Sequence, residues 1–230
     1  MSGNEPTRNS TTSNANAIRV LIVDDHSLVR RGMVELLSHE SDLIVCGEAA
    51  DLPSAFRLLH ETRPDVAVVD ITLNSGNGLE LIKEIKSSHP QVRIVVSSMH
   101  DETLFGERCL RAGAAGYVNK EEAAEKVVDA IRTVLTGRLY LSEQLAQRML
   151  MRAVGQTDSA TASPLDTLTD RELEVFALIG AGQTTRQIAE KLDLSVKTIE
   201  SYRENIKTKL KLKNAAELSL HAVHWTMENH

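Results

Sequence analysis

The sequence predicts two units in series: an α/β domain built on a doubly wound, five-stranded parallel sheet, then an all-α domain. Three observations carry this. Short β-branched aliphatic runs alternate with helical spacings five times between residues 18 and 138, and parallel strands require helical crossovers of that kind. After Gly137 the strand signal stops. Between Gly155 and Pro164 the chain reads GQTDSATASP, rich in Ser, Thr, Gly and Ala and without aliphatic periodicity, which is linker composition.

The elements follow in order. MSGNEPTRNSTTSNANA, residues 1–17, is polar and lacks the apolar core of a signal peptide, so it is expected to be a disordered tail. Ile18–Asp24 (IRVLIVD) is a buried strand ending in acid. Leu28–Ser38 is helical, with Leu28, Met33, Leu36 and Leu37 expected on the core side. Leu43–Ala49 is a strand, Leu52–Thr62 a helix with Pro53 in its first turn, and Asp65–Asp70 a third strand, again ending in Asp. Gly78–Ser88, Val92–Ser98, Glu102–Ala112, Ala115–Val118 and Glu121–Thr136 continue the alternation. Ser142–Arg152 reads as one further amphipathic helix. Beyond it, Thr169 and Ser195 are N-caps of helices reaching Ala181 and Leu210, Thr184–Leu192 lies between them, and Asn214 opens a last helix through Trp225. The expected division is tail 1–17, α/β domain 18–138, helix and linker 139–167, and helical domain 168–230.

Composition excludes several classes. With 7 aromatics in 230 residues, the cores must be aliphatic. Cys46 and Cys109 each sit in an apolar segment and read as buried thiols, not as a disulfide framework. No apolar run approaches the roughly 20 residues of a membrane span, so a soluble cytoplasmic protein is expected. The eight histidines form no ligand set. The net charge of −6 argues against nucleic acid until it is divided along the chain. Residues 18–152 hold 16 basic and 20 acidic side chains, while 168–230 hold nine of each. Within Ser195–Lys213 there are six basic residues against Glu200 and Glu204. The basic footprint is local, which predicts weak DNA binding by a monomer.

The chemistry collects at the carboxyl ends of the strands, where open parallel sheets bind ligands. Asp24 and Asp25 follow the first strand and Asp70 the third, and the wound topology makes those strands neighbours. Clustered carboxylates repel unless a cation neutralises them, and hard oxygens with room for water suit Mg²⁺. Ser98 and Lys120 end the fourth and fifth strands, adding a hydroxyl and an ammonium. Such a rim can bind phosphoryl oxygens, with a carboxylate as nucleophile. A dehalogenase-like phosphohydrolase would need a second acid two residues beyond the nucleophile, where this chain has Thr72.

The set Asp24-Asp25, Asp70, Ser98 and Lys120 on this pattern resembles the flavodoxin-like receiver domain of bacterial two-component response regulators. The resemblance implies that Asp70 is the phosphoacceptor, that Asp24, Asp25, Asp70 and the backbone carbonyl of Thr72 hold Mg²⁺, and that Ser98 and Tyr117 are switch residues beside Lys120. Asn74 and Glu121 stand where the family commonly has proline.

The second half, LTDRELEVFALIGAGQTTRQIAEKLDLSVKTIESYRENIKTKLKL, resembles the helix-turn-helix domain of NarL/FixJ (LuxR-type) regulators. In its second helix Val196, Ile199, Ile206 and Leu210 are expected to face the core. The resemblance implies base-edge contacts from Glu200, Ser201 and Glu204, with Thr198 and Arg203 nearby, and phosphate contacts from Lys197, Lys207 and Lys209. Ala216, Leu220, Val223 and Trp225 are available for packing on the last helix, which pairs two domains in relatives. The resulting expectation is a non-enzymatic regulator whose partners are a sensor histidine kinase, double-stranded DNA and a second copy of itself when phosphorylated or DNA-bound. The competing expectation is a phosphate-independent DNA-binding regulator whose receiver is a dimerisation platform.

Overall fold

The computed structural model describes residues 17–73, 76–100, 102–120, 122, 125–154 and 164–228. All but the last residue of the expected tail, most of the linker, Asn74 and Glu121 lie outside the described residues. Five strands form one parallel sheet: β1 (Ile18–Val23), β2 (Leu43–Ala49), β3 (Val66–Val69), β6 (Arg93–Ser98) and β7 (Gly116–Asn119), in the spatial order β2-β1-β3-β6-β7. A short antiparallel pair, β4 (Thr72–Leu73) with β5 (Gly76–Asn77), follows β3. Side chains alternate across a strand, and the core obeys this period. Leu21, Val23, Ala67, Val69, Ile94 and Val96 face one layer, and Val20, Ile22, Val66, Val68 and Val95 face the other.

Five helices cover the two faces. On the first lie α2 (Leu52–Thr62), α3 (Gly78–Ser88) and α4 (Glu102–Ala112), through Leu59, Ile82 and Phe105 among others. On the second lie α1 (Ser27–Ser38) and α5 (Glu125–Leu135), through Met33, Leu37, Val128 and Ile131. Asp51 caps α2 by accepting the Ser54 N–H at 2.8 Å. Gly78 opens α3 because a Cβ there would lie 2.2 Å from the Asp70 carbonyl oxygen, so the turn after the third strand closes only on glycine.

Leu28 departs from expectation, being 80% exposed. The buried stripe of α1 runs through Val29, Met33, Leu36 and Leu37, an i, i+4, i+7, i+8 series, and Leu28 falls on the opposite side from Leu37.

α6 (Glu143–Ala153) packs its buried Leu145 against Gly106 of α4. After a 3₁₀ turn, Pro164–Thr167, come α7 (Asp170–Gly180), α8 (Thr185–Lys191), α9 (Val196–Leu210) and α10 (Ala215–Glu228). Thr169 with Glu172, and Thr184 with Gln187, form reciprocal capping boxes, and Ser195 caps α9 by accepting the Thr198 N–H at 3.0 Å. Ile199 and Ile206 are buried as expected, but Val196 is exposed because it is the first helical residue, beyond the edge of the core. On α10 the core side is Leu218 and Ala222, with Trp225 edge-on to Phe176, whereas Leu220 is 70% exposed. The apolar cluster of the α2–α3–α4 layer continues without a break into Leu165, Leu173 and Phe176. Among the described residues no helix is long and apolar enough to cross a membrane.

Candidate functional site: an acidic rim and a helix-turn-helix

The rim assembles where the sequence places it. Asp24 leaves β1 with its N–H donated to the Ala49 carbonyl, and Asp70 leaves β3 with its N–H donated to Val23, so adjacent strand ends hold both acids. Asp24 is 1% and Asp70 4% exposed. Lys120, just beyond β7, lies between them, with Nζ 2.6 Å from Asp24 Oδ2 and 2.5 Å from Asp70 Oδ2. Burial pushes the Asp70 carboxyl up to about 6, against the pull of Lys120 and with the charge of Asp24 adding to it. Burial alone would lower the Lys120 ammonium, but Asp70 and Asp24 outweigh it and hold its pKa above the ordinary lysine value. At neutral pH Asp70 is therefore mainly a carboxylate, held in place by a cation.

Ligand atoms of Asp24, Asp25, His26 and Asp70 all lie within 4.8 Å of one another, which fits a small divalent cation on a mostly oxygen donor set. His26 is the member that the sequence reading missed. Its Nδ1 sits 2.6 Å from Asp25 Oδ1, and its N–H donates to Asp24 Oδ1 at 2.8 Å. Its place directly after Asp24-Asp25 is the one signal that could have found it.

His100 is a second such residue. The Thr72 N–H donates to Asp70 Oδ1 at 3.1 Å, and Thr72 Oγ1 is 2.7 Å from His100 Nε2. The His100 N–H donates to Ser98 Oγ at 3.1 Å, and the Tyr117 hydroxyl donates to the His100 carbonyl at 2.7 Å. One residue thus links the turn after Asp70, the Ser98 hydroxyl and Tyr117. Burial pushes its imidazole down to about 4, with Lys191 and Lys120 adding to the effect, so it is neutral here. Tyr117 is 3% exposed and lies inward, where burial raises its hydroxyl well above the ordinary tyrosine value. The ring is thus already turned inward in the conformation seen.

The helical domain docks over this face. Asp170, the first residue of α7, accepts from Lys83 of α3 at 3.0 Å and from Arg108 of α4 at 3.0 Å. Arg108 also donates to the Leu165 carbonyl at 3.0 Å. Glu174 of α7 is buried against Arg171 at 2.7 Å, and burial pushes its carboxyl up, with the charge of Asp70 adding.

α9 keeps its outer face open, with Lys197, Glu200, Ser201 and Glu204 exposed and Thr198, Arg203 and Lys207 half-buried. Two of the lysines are engaged. Lys207 pairs with Glu204 at 2.8 Å, and Lys209 pairs with the buried Glu172 at 2.6 Å, fastening α9 to α7. Lys209 therefore has a structural partner that spacing along α9 could not reveal.

Comparison with known proteins agrees with both halves. A family profile described as the response regulator receiver domain matches residues 20–132, and one described as bacterial regulatory proteins, luxR family, matches residues 166–222. The chain is 37% identical over 206 residues to the response regulator GacA of Pseudomonas viridiflava, covering 90% of this chain and 95% of the relative. It is 35% identical over 211 residues to the oxygen regulatory protein NreC of Staphylococcus epidermidis, covering 90% and 97%. Among solved structures, the RcsB response regulator of Salmonella typhimurium aligns with TM-score 0.67 at 26% identity, over 91% of this chain and 98% of that one. RcsB bound to the promoter rprA with the phosphomimetic BeF₃⁻ aligns with TM-score 0.62 at 26% identity, over 90% and 99%.

Proposed function

Since the chain belongs to the response regulators that join a receiver domain to a LuxR-type DNA-binding domain, we propose that phosphorylation of Asp70 by a sensor histidine kinase controls its binding to specific double-stranded DNA, and so transcription. The observation that carries this is the Lys120 ammonium held between Asp24 and Asp70. It fixes a buried carboxylate in nucleophilic form and supplies a cation for the incoming phosphoryl group.

The transfer balances simply. An Asp70 carboxylate oxygen attacks phosphorus, the P–N bond to the kinase histidine breaks, and the leaving nitrogen keeps the bond pair. Asp24, Asp25, Asp70 and the Thr72 carbonyl are the residues that would hold Mg²⁺. When bound, that ion offsets charge on the phosphoryl oxygens. Lys120 stays with the acyl phosphate. The Ser98 hydroxyl turns toward a phosphoryl oxygen, which withdraws the acceptor of the His100 N–H and unsettles its link to Tyr117. The acyl phosphate carries roughly −1.5 to −2 charges where the carboxylate carried −1, so up to about one negative charge is added on the side of the docked α7, where the charge of Asp70 already acts on the buried carboxyl of Glu174. That charge favours release of residues 168–230 from the receiver, residues 18–138, across the segment 139–167. Leu220, exposed on α10, supports pairing of two released domains, and a cytoplasmic homodimer on DNA is the active form.

The test is incubation with a small phosphodonor and Mg²⁺, followed by intact mass and DNA footprinting. One phosphoryl group on the chain, none on Asp70→Asn, and a footprint that strengthens with phosphorylation are expected. A footprint indifferent to the phosphodonor would reduce the receiver to a dimerisation platform.

A further inference from the structure

At the end of the sheet opposite the acidic rim, a cavity of about 300 Å³ opens below the starts of β3 and β6. Neither the phosphotransfer chemistry nor the DNA interface uses it. Its polar lining is His60, Arg63, Asp65, His89 and Gln91, over buried Leu59. His60 lies in the last turn of α2, and His89 is the C-cap of α3. Their ring centroids are 4.7 Å apart, with planes inclined at 64°.

That separation is informative. With a metal–nitrogen bond of about 2.1 Å and a ring nitrogen about 1.1 Å from its centroid, two imidazoles at about 90–110° on one cation have centroids roughly 4.5–5.2 Å apart. His89 is also anchored through one of its ring nitrogens. Its Nδ1 is 2.9 Å from Ser88 Oγ, which fixes the ring and leaves Nε2 for a cation. The frame is firm: the Arg63 and His89 N–H groups close their helices on the Leu59 and Ile85 carbonyls, and Asp65 is tied to the backbone N–H of Arg19 at 2.8 Å. Two helix C-termini, each a centre of partial negative charge, approach the same opening. Asp65 shares the lining with Arg63, so one negative and one positive side chain border the opening.

The geometry points to a bis-imidazole site, His60 with His89, for a borderline divalent transition cation such as Zn²⁺, Ni²⁺ or Cu²⁺. Two protein nitrogens are completed by water. Imidazole donors select these ions over Mg²⁺, which prefers the carboxylate and carbonyl oxygens of the rim. A cation there clips the end of α2 to the end of α3, the helix that also carries Lys83 of the interdomain contact.

The test uses the full chain without a polyhistidine tag, in excess Mg²⁺, titrated with Zn²⁺ or Ni²⁺ by calorimetry and with Cu²⁺ by electron paramagnetic resonance. One equivalent should bind, with hyperfine structure from two nitrogens. Affinity should fall roughly tenfold or more in His60→Ala and in His89→Ala, with one nitrogen lost from the spectrum in each, and should be unchanged in His26→Ala. Binding that survives both substitutions, or is lost in His26→Ala, overturns the site by placing the cation elsewhere. So does a cavity that takes inorganic phosphate through Arg63 and no metal.

Discussion

The receiver rim and the recognition helix carry charge in opposite ways. At the rim, Asp24, Asp70 and Lys120 are almost wholly buried, each the close partner of another. On α9, Lys197, Glu200 and Glu204 stand in solvent, where an exposed pair contributes little. Buried charge makes each residue individually decisive and sets a two-state device. Exposed charge works by summation, which suits a surface that must find DNA, leave it and find it again. Of the net charge of −6, four charges fall in residues 18–152, which carry the rim, and two in the linker, whereas the positive stretch lies on and just beyond α9.

The sharpest way to break this contrast is Lys120→Met. It leaves Asp24 and Asp70 facing each other without their cation, and removing one partner of a buried pair costs about 3–5 kcal/mol. Urea unfolding should show that loss, and Mg²⁺ should restore more stability to the variant than it adds to the wild type. Equal loss from Lys197→Met on α9 would erase the distinction between the two regions.

Asp70→Asn should act in the other direction on stability while abolishing phosphorylation. A carboxyl raised from 3.8 to about 6 binds its proton more tightly folded than unfolded. The stability it adds is complete below pH 4 and is lost as the pH rises through 6. At pH 7 the permanently neutral Asn should therefore be the more stable by at most about 3 kcal/mol, an advantage that vanishes near pH 4. Equal midpoints at both pH values would show that Lys120 neutralises Asp70 fully.

Asp170→Asn tests the join between the regions. Its partners Lys83 and Arg108 are partly solvated, so about 1 kcal/mol of docking is at stake. The variant should show a larger radius of gyration by small-angle scattering and about fivefold tighter DNA binding without a phosphodonor. An unchanged radius with unchanged affinity would leave the contact without a role in the output.

Much of this was legible from sequence because it depends on period and on strand ends. The alternation in IRVLIV and VAVV sorts side chains to two layers, and an acid that ends an aliphatic strand is carried to the carboxyl edge of the sheet. What escaped depends on contacts between separate loops or domains. His100 meets Thr72 across 28 positions, and Asp170 meets Arg108 across 62 and Lys83 across 87. Leu28 misled because hydrophobicity was counted without angle: Val29, one step on, is the residue in phase with Met33. Lys209 is the same lesson on α9, where one face's spacing hides a partner on α7.

That last case gives the smallest and most discriminating measurement. Lys197 is exposed at the start of α9, whereas Lys209 is bound to Glu172. If Lys197 neutralises one phosphate, Lys197→Ala should reduce the slope of log affinity against log salt by about 0.9, with stability unchanged. Lys209→Ala should leave that slope alone and instead lower stability by under about 1 kcal/mol, since Glu172 keeps its capping bonds to Thr169. Should Lys209→Ala flatten the slope as much as Lys197→Ala, the lysine must leave Glu172 on meeting DNA. The exposed region would then borrow a charge from the folded core of its own domain, and the division between buried and summed charge would hold only for the free protein.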